Sequence, residues 1–350
     1  MTLNLDINKK IGEFSLTVRA DIYSKRVGIL GASGSGKSMT LKCIAGIERN
    51  DSGHIIFDER VLMDSSRKIN LKPQQRRLGY LFQNYALFPT MTVAKNIAAG
   101  LGGQPKDQVQ NKVAEMVRRF RLEGLEDRIP DQLSGGQQQR VAIARIMAYE
   151  PGLIMLDEPF SALDGHLKEH LVLEMQEMLQ DYDGTVLVVS HNREEIYQLT
   201  DEVIVLANGS IVRHGQTKDV FNDPQVLAVA NLTGCKNISA IEKRSENTLY
   251  AKDWDLELQT AQPIADDIRY VGIRAHDLQP AGADDVNSFA ITLSSTVAAP
   301  FEIVRLVKKQ GNSDGKEIWW KVSKGNLTDH DADILPEYLQ MPPQSLLLLK

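Results

Sequence analysis

Up to about residue 232 the chain alternates between short apolar runs and longer amphipathic stretches. Some apolar runs have the length and composition of strands that are buried on both faces of a parallel sheet. Other stretches repeat apolar side chains at helical spacing. The predicted buried strands are residues 26–30, 153–156 and 185–189, and the predicted helices are residues 39–47, 108–120 and 167–182. Residues 2–7 and 14–22 alternate as antiparallel strands do, so we predict an α/β fold with an antiparallel β section.

Beyond residue 232 the pattern becomes β-rich. Segments of strand-like alternation are separated by polar turns such as residues 311–315, and their spacing is typical of a small barrel. These segments are residues 247–258, 270–275, 289–293, 303–307, 317–322 and 346–349. A chain of 350 residues has room for two domains. We therefore predict a first domain over residues 1–232 and a β-rich second domain over residues 233–350.

Composition narrows the class of protein further. The net charge of −6 gives no overall electrostatic support for a nucleic-acid partner. The two cysteines, Cys43 and Cys235, lack metal-ligand spacing and favour a reducing compartment. No apolar run reaches the length of about 18 residues that a membrane-spanning helix needs, and residues 1–10 lack the apolar core of a signal peptide. We expect a cytosolic protein that reaches a membrane only by docking onto a partner.

Residues 31–38 match the phosphate-binding pattern G-x-x-x-x-G-K-[ST] and stand between a predicted strand and a predicted helix. Glycine lets the backbone approach a phosphate closely, and the N–H groups of a helix start face the anion. Lys37 would reach the β- and γ-phosphates, and the Ser38 hydroxyl would bind Mg²⁺. The predicted nucleotide contacts of this loop are Gly31, Ala32, Ser33, Gly34, Ser35, Gly36, Lys37, Ser38 and Met39.

Polar side chains follow the other apolar strands at their carboxyl ends, where an open α/β sheet holds its ligands. Gln83 would bind Mg²⁺ or orient a water molecule, or serve only as a turn residue. Asp157 would hold Mg²⁺ through its water shell, and Glu158 would orient or deprotonate an attacking water, although acidic residues here also cap helices. His191 ends the strand 185–190 and would contact a γ-phosphate.

A second glycine-containing helix start lies at residues 133–140. Ser134 stands at the position of an N-cap, and Gly135 and Gly136 allow a close approach of the backbone, with Gln137 next in the chain. The backbone N–H groups of this helix start suit an anion. No phosphate-binding loop accompanies the helix start in this half of the chain.

Aromatic and apolar residues close to these motifs leave alternatives open. Phe14 either stacks on an adenine ring or packs in the core of an alternating strand. Tyr85, Leu87 and Phe88 are unusually apolar for a loop and suggest a surface for a partner.

These motifs, in this order, resemble the ATP-binding cassette (ABC) ATPase family over about residues 1–230. The resemblance implies a P-loop NTPase fold with antiparallel β and helical subdomains, and ATP and Mg²⁺ as cofactors. It implies that two copies of the chain pair head to tail, with the signature of one copy over the γ-phosphate held by the other. In family terms, residues 31–38 resemble Walker A, Gln83 the Q-loop, residues 133–137 the LSGGQ signature, residues 154–157 Walker B, Glu158 the catalytic glutamate, residues 161–164 the D-loop and His191 the switch histidine.

The region from Gln83 to Ile97 resembles bacterial importers, in which it meets a helix of the membrane permease. This resemblance implies a peripheral protein on the cytoplasmic face of the membrane and, indirectly, a solute-binding protein as partner. The competing class is a soluble ABC ATPase that acts on nucleic acid or ribosomes. Such proteins carry coiled-coil insertions or a second cassette, and this sequence has neither.

The second domain resembles the accessory β-barrels (MOP/TOBE-like) of molybdate, sugar, polyamine and iron importers. Residues 271–278 look most like the molybdate (ModC-type) group, so molybdate is the first expected solute, before tungstate or sulfate. A sugar, a polyamine or ferric ion is the alternative. Residues 293–296 match only weakly the oxyanion-binding motif of that group, so regulation by an oxyanion and a dimer-stabilising role both stay open.

Overall fold

The computed structural model describes residues 2–161, 165–298, 300–324 and 335–350. It divides into two compact units, Met1–Val220 and Phe221–Lys350. The domain boundary that the sequence predicts, between residues 232 and 233, stays a prediction. Within the described ranges, no helix is long and apolar enough to cross a membrane.

The described strands of the first unit form one mixed sheet in the order β6-β5-β4-β1-β2-β11-β10-β3-β9-β8-β7. The segment β10-β3-β9-β8-β7 is parallel, whereas β1, β2, β4, β5 and β6 pair antiparallel. The strands are β1 Leu3–Ile11, β2 Phe14–Ile22, β3 Arg26–Leu30, β4 Ser52–Phe57, β5 Arg60–Asp64, β6 Ile69–Asn70, β7 Gly79–Leu81, β8 Leu153–Asp157, β9 Thr185–Ser190, β10 Glu202–Ala207 and β11 Ser210–Gln216.

The predicted α/β fold is confirmed, because the apolar runs do form parallel strands buried on both faces. Every residue of β8 and β9 is buried. Ile29, Met155 and Leu187 join the antiparallel strands in one apolar core. Burial at about 25 cal/mol per Å² of apolar surface makes this core the main source of stability for the unit.

The helices of the first unit are α1 Lys37–Ala45, α2 Pro73–Arg76, α3 Val93–Ala98, α4 Lys106–Arg119, α5 Gly135–Ala148, α6 Gly165–Gln180 and α7 Arg193–Leu199, with a short 3₁₀ turn at Pro130–Gln132. Helices α1, α4 and α6 begin within two residues of the starts that the sequence predicts, and α5 begins directly after Ser134. Helix α8, Thr217–Asn222, crosses from the first unit into the second, and α9 is Leu227–Leu232.

Helix α1 ends at Gly46, which has a left-handed φ of 76°. The buried Arg76 guanidinium lies against this end: its Nη1 donates to the carbonyls of Cys43 and Ile44 at 2.9 and 2.6 Å. A Cβ at position 46 would lie 2.5 Å from Arg76 Nε, so glycine is required by both space and backbone conformation. Burial lowers the pKa of Arg76 to about 10, still well above neutral pH.

The second unit is β-rich, as the sequence predicts. Its described strands form two sheets, in the orders β14-β13-β12-β15-β21 and β16-β20-β17-β18-β19, and a core around Trp254, Trp320 and Leu339 packs between them. The barrel and its resemblance to accessory domains stay predictions. The strands are β12 Asn237–Lys243, β13 Thr248–Ala251, β14 Leu256–Gln259, β15 Tyr270–Ile273, β16 Gln279–Ala281, β17 Ser288–Ala298, β18 Glu302–Lys309, β19 Ile318–Ser323, β20 Tyr338–Gln340 and β21 Leu347–Leu349, with a 3₁₀ turn at Pro343–Ser345.

Candidate functional site

The phosphate loop is the turn that connects β3 to α1. Gly36 takes a φ of 103°, and a Cβ there would lie 2.6 Å from Leu16 Cδ1. At Gly31 a Cβ would lie 2.5 Å from the carbonyl oxygen of Leu206. Both positions therefore exclude any larger residue, and the loop follows a path that only this glycine spacing allows.

Polar groups inside this loop are poised for an anion. Lys37 is 5% exposed, and its Nζ donates to the carbonyls of Gly31 and Ala32 at 2.8 and 3.0 Å. Burial lowers the Lys37 pKa, while the charges of Glu158 and Asp157 raise it in part. Ser35 is also buried, and its hydroxyl has no hydrogen-bond partner among the described residues. An orphaned donor beside a buried ammonium suits an acceptor-rich triphosphate.

The other predicted contacts of this loop lie at its surface or against the core. Ala32, Ser33 and Gly34 are exposed, whereas Met39 is half-buried against the core. The Phe14 ring is half-buried and packs close to the loop, since a Cβ at Gly36 would lie 3.3 Å from its Cζ. Phe14 also packs against the core of the first unit. Adenine stacking and core packing both remain compatible with this position.

The register of the parallel strands brings the predicted catalytic edge together. Leu30 pairs with Ser190, and Asp157 pairs with Val189, so the loops after β3, β8 and β9 leave the sheet at one edge. Ser38 Oγ donates to Asp157 Oδ1 at 2.7 Å, although the two residues are far apart in the chain. This pair supplies hydroxyl and carboxylate oxygens, the hard donors that Mg²⁺ prefers, so the residues fit a magnesium ion bound together with phosphates.

Sequence reasoning missed Tyr80, whose hydroxyl donates to Asp157 Oδ2 at 2.8 Å. Burial, together with the Asp157 charge, raises the pKa of Tyr80 far above neutral pH, so the hydroxyl keeps its proton and remains a donor. A tyrosine within a short apolar strand carries no sequence signal of this contact. Only the pairing of Tyr80 with Met155 across β7 and β8 places it beside Asp157.

Gln83 contacts the turn that follows β8. Its Nε2 donates to Ser161 Oγ at 3.2 Å, and Ser161 Oγ donates to the carbonyl of Glu158 at 3.0 Å. Gln83 is thus connected to the turn that carries Glu158, and its role as a metal ligand stays a prediction. Residues 162–164, the remainder of the predicted D-loop, lie outside the described residues.

Glu158 and His191 face each other at the same edge. His191 Nδ1 lies 3.2 Å from Glu158 Oε1, and the Glu158 N–H donates to the carbonyl of Val189 at 2.9 Å. Glu158 has a φ of 47°, a left-handed conformation that costs a non-glycine residue about 1 kcal/mol or more. Strain of this kind is found at functional sites, and the Glu158 carboxylate here faces the exposed histidine.

A buried polar network holds the segment that carries His191. Ser190 Oγ donates to Glu195 Oε2 at 2.6 Å and accepts from the N–H of Asn192 at 2.9 Å. Lys168 of α6 completes the network, with Nζ 2.5 Å from Glu195 Oε1. Glu195 is 4% exposed, so the ion pair is protected from solvent. The network joins the helix after the predicted D-loop to the switch segment.

Helix α5 begins with a complete capping box. The Gln137 N–H donates to Ser134 Oγ at 3.3 Å, and the Ser134 N–H donates to Gln137 Oε1 at 2.9 Å. Ser134 and Gly135 are exposed, whereas Gly136 is buried, and a Cβ there would lie 3.2 Å from Leu171 Cδ1. The predicted signature is therefore an ordered helix start on the surface of the unit.

The apolar loop after Gln83 forms a groove of about 440 Å³ with α5. Arg145 fixes its backbone by donating to the carbonyls of Tyr85 and Ala86 at 2.9 and 2.7 Å, both residues having left-handed φ angles. Phe88 is 45% exposed and lies 5.6 Å below the Arg145 guanidinium. Sequence reasoning missed Arg145; its only signal is a cation on an otherwise apolar face of α5.

Comparison with known proteins supports this picture. A family model described as ABC transporter matches residues 13–161. A probable sulfate/thiosulfate import ATP-binding protein of Chlorella vulgaris is 39% identical over 236 residues, which are 66% of this chain and 98% of that protein. A sulfate/thiosulfate import ATP-binding protein of Pectobacterium atrosepticum is 35% identical over 339 residues, 94% of this chain and 98% of that protein. A spermidine/putrescine import ATP-binding protein of Mesoplasma florum is 36% identical over 268 residues, 76% of this chain and 70% of that protein.

Solved structures agree with these relatives. An ATP-binding cassette in a dimeric post-hydrolysis state, bound to ADP and Pi, is 30% identical with a TM-score of 0.52, covering 62% of this chain and 99% of that chain. CbiO1 of Clostridium perfringens, part of an ABC transporter complex, is 27% identical with a TM-score of 0.55, covering 66% of this chain and 94% of that chain.

Proposed function

Because this chain belongs to the ABC transporter family and carries its ATP-hydrolysing domain, we propose that it powers the import of an oxyanion, with sulfate or thiosulfate as the first candidate. The observation that carries the ATP-hydrolysing part of this proposal is the convergence of Lys37, Ser38, Asp157, Glu158 and His191 at one edge of the parallel sheet. This edge joins a phosphate cradle to a carboxylate suited to activate water.

In the proposed reaction, the phosphate loop and Lys37 would bind the triphosphate, and Ser38 and Asp157 would hold its Mg²⁺. The bound ion would neutralise charge that develops on the phosphates. Glu158 orients the attacking water and accepts its proton, while His191, 3.2 Å from that carboxylate, contacts the γ-phosphate. We assign the start of α5, Ser134 to Gln137, of which Ser134 and Gly135 are exposed, to the γ-phosphate held by a second copy of the chain.

The groove beside Phe82 and Phe88 is the proposed docking site for a membrane permease, and the region Gln83 to Ile97 lines it in part. Large exposed apolar side chains favour a partner there. Docking would hold the protein at the cytoplasmic face of the membrane, with a solute-binding protein as an indirect partner.

The choice of solute class rests on the extent of the relatives' matches. The Pectobacterium sulfate/thiosulfate protein aligns with nearly the whole chain, including the second unit, whereas the Mesoplasma spermidine/putrescine protein aligns with a smaller share of both chains. This difference favours an oxyanion, and the relatives' names favour sulfate over the molybdate expected from the sequence. Polyamine import is the second candidate.

Uptake in the native cell tests the proposal. A strain that lacks this chain should lose most of its uptake of radiolabelled sulfate, and the wild-type chain should restore it, whereas Lys37→Ala should not. Labelled molybdate and spermidine are measured in parallel. Restored uptake of spermidine alone would replace the oxyanion by a polyamine, and unchanged uptake of all three solutes would contradict the proposal.

A further inference from the structure

Two hydroxyl groups hold the Asp157 carboxylate, one on each oxygen. Ser38 donates to Oδ1 at 2.7 Å and Tyr80 donates to Oδ2 at 2.8 Å. Ser38 belongs to the phosphate loop and would itself turn to a metal ion. Tyr80 has no such second task. On these contacts, and resting on the proposed function of Asp157, we propose that Tyr80 is a positioning residue that orients Asp157 for Mg²⁺.

The chemistry of the contact supports this role. Asp157 is 6% exposed, so a carboxylate at this position depends on protein donors in place of water. A hydrogen bond to a charged oxygen is stronger than one between neutral groups. With Oδ2 held by Tyr80, Oδ1 is the oxygen left to exchange its bond with Ser38 for a bond toward Mg²⁺ or its water shell. Removing a group that orients a ligating side chain commonly lowers the metal affinity about tenfold or more.

The position of Tyr80 adds a second consequence. The centroid of its ring lies 4.5 Å from that of Phe82, and the ring lines the groove that also contains Phe88, Arg145 and Tyr149. The hydroxyl of Tyr80 therefore contacts Asp157, and its ring lines the proposed permease site. A partner seated in that groove would touch the residue that sets the orientation of Asp157.

Tyr80→Phe separates the two ends of this side chain, because phenylalanine keeps the ring and removes only the hydroxyl. Tyr149→Phe is the matched control: Tyr149 lines the same groove, but its hydroxyl donates to the carbonyl of Leu78 at 3.0 Å. Asp157→Asn removes the carboxylate itself. All variants are made in the full chain, and far-UV circular dichroism and thermal unfolding establish that each one is folded.

The measured quantity is binding, not turnover. Affinity for a non-hydrolysable ATP analogue is determined by calorimetry in EDTA and over a Mg²⁺ series, and Mn²⁺ binding to the analogue complex is followed by electron paramagnetic resonance. Tyr80→Phe should weaken the apparent Mg²⁺ and Mn²⁺ affinity by about tenfold and leave the affinity in EDTA unchanged. Tyr149→Phe should change neither.

Each result that differs from this expectation contradicts a different part of the proposal. A wild-type metal dependence in Tyr80→Phe, with a loss in Asp157→Asn, would remove the role of Tyr80 and leave the proposed site intact. Equal losses with and without metal in Tyr80→Phe would mean that the hydroxyl only supports the fold of the loop. A wild-type metal dependence in Asp157→Asn would instead contradict the proposed site itself.

Discussion

Two helix starts in the first unit look alike in sequence and differ in structure. Helix α1 begins after Gly36 without any side-chain cap, and α5 begins at Ser134 with both bonds of a capping box. The first N–H groups of a helix have no partner within the helix. In α1 these groups face the interior of a loop that holds a buried ammonium, whereas in α5 a side chain already accepts from one of them.

This difference indicates how the two starts would act on one nucleotide. The backbone N–H groups at the α1 start carry no side-chain cap, so a phosphate can bind them without displacing one. The α5 start is closed on itself and exposed, so a phosphate must compete with the Gln137–Ser134 bonds there. We expect α1 to set the affinity of a single chain for ATP, and α5 to act only when a second copy supplies the nucleotide.

Glu158→Gln gives the largest expected effect. Removing the water-activating carboxylate should lower ATP turnover by about 10²- to 10⁴-fold while nucleotide binding persists. The chain should then elute as an ATP-dependent dimer in size-exclusion chromatography, with both helix starts engaged. Glu194→Gln, an exposed carboxylate at the start of α7, is the control and should turn over normally. Normal phosphate release by Glu158→Gln would remove its assigned role.

Lys37→Ala tests the open start. Loss of the buried ammonium should weaken ATP binding by the isolated chain at least tenfold, because a charge-assisted contact with phosphate is removed. Lys42→Ala, which removes the same charge from the last turn of α1, should leave affinity unchanged. Fluorescent-nucleotide titration measures both. Equal affinities of Lys37→Ala and the wild type would refute the difference between the two starts.

Ser134→Ala tests the closed start. Loss of the cap should lower the free energy of unfolding by about 0.5–2 kcal/mol. ATP affinity of the single chain should not change, whereas turnover should fall several-fold beyond what the lost stability explains. Thr92→Ala removes a similar cap from α3, whose Lys95 N–H donates to Thr92 Oγ1 at 3.3 Å, and should not lower turnover. A matching loss of turnover in both variants would indicate that only helix stability matters.

The pH dependence of ATP affinity gives the smallest effect. The pKa of Lys37 is lowered by burial, so its ammonium begins to lose its proton at a lower pH than an ordinary lysine. Affinity should be constant at neutral pH and fall as pH rises through this lowered pKa. The same titration repeated up to about pH 10 measures the decline, which should be absent in Lys37→Ala. Constant affinity of the wild type up to the ordinary lysine pKa of about 10.4 would contradict the assignment.

The features that the sequence predicts well are those formed by residues close together in the chain. The phosphate loop, the buried strands and the Ser134 cap depend on residues next to each other, and strand order then brings Ser38 to Asp157. Tyr80, Arg145 and Lys168 escaped prediction because their partners lie far along the chain: Tyr80 contacts Asp157 at a separation of 77 residues, and Arg145 contacts Tyr85 at 60. Such contacts follow from strand register and helix packing, which single-sequence patterns do not contain.

Arg76 gives α1 a positive charge at its carbonyl end before any nucleotide arrives. The carbonyl end of a helix carries partial negative charge, so the guanidinium stabilises the last turn of α1 against fraying. The helix therefore stays complete, with its partial positive charge directed at the phosphate loop. The entropy cost of ordering the phosphate-binding helix therefore falls on folding and not on nucleotide binding. ATP meets a preorganised cradle, and nucleotide association is expected to proceed without a slow ordering step of α1.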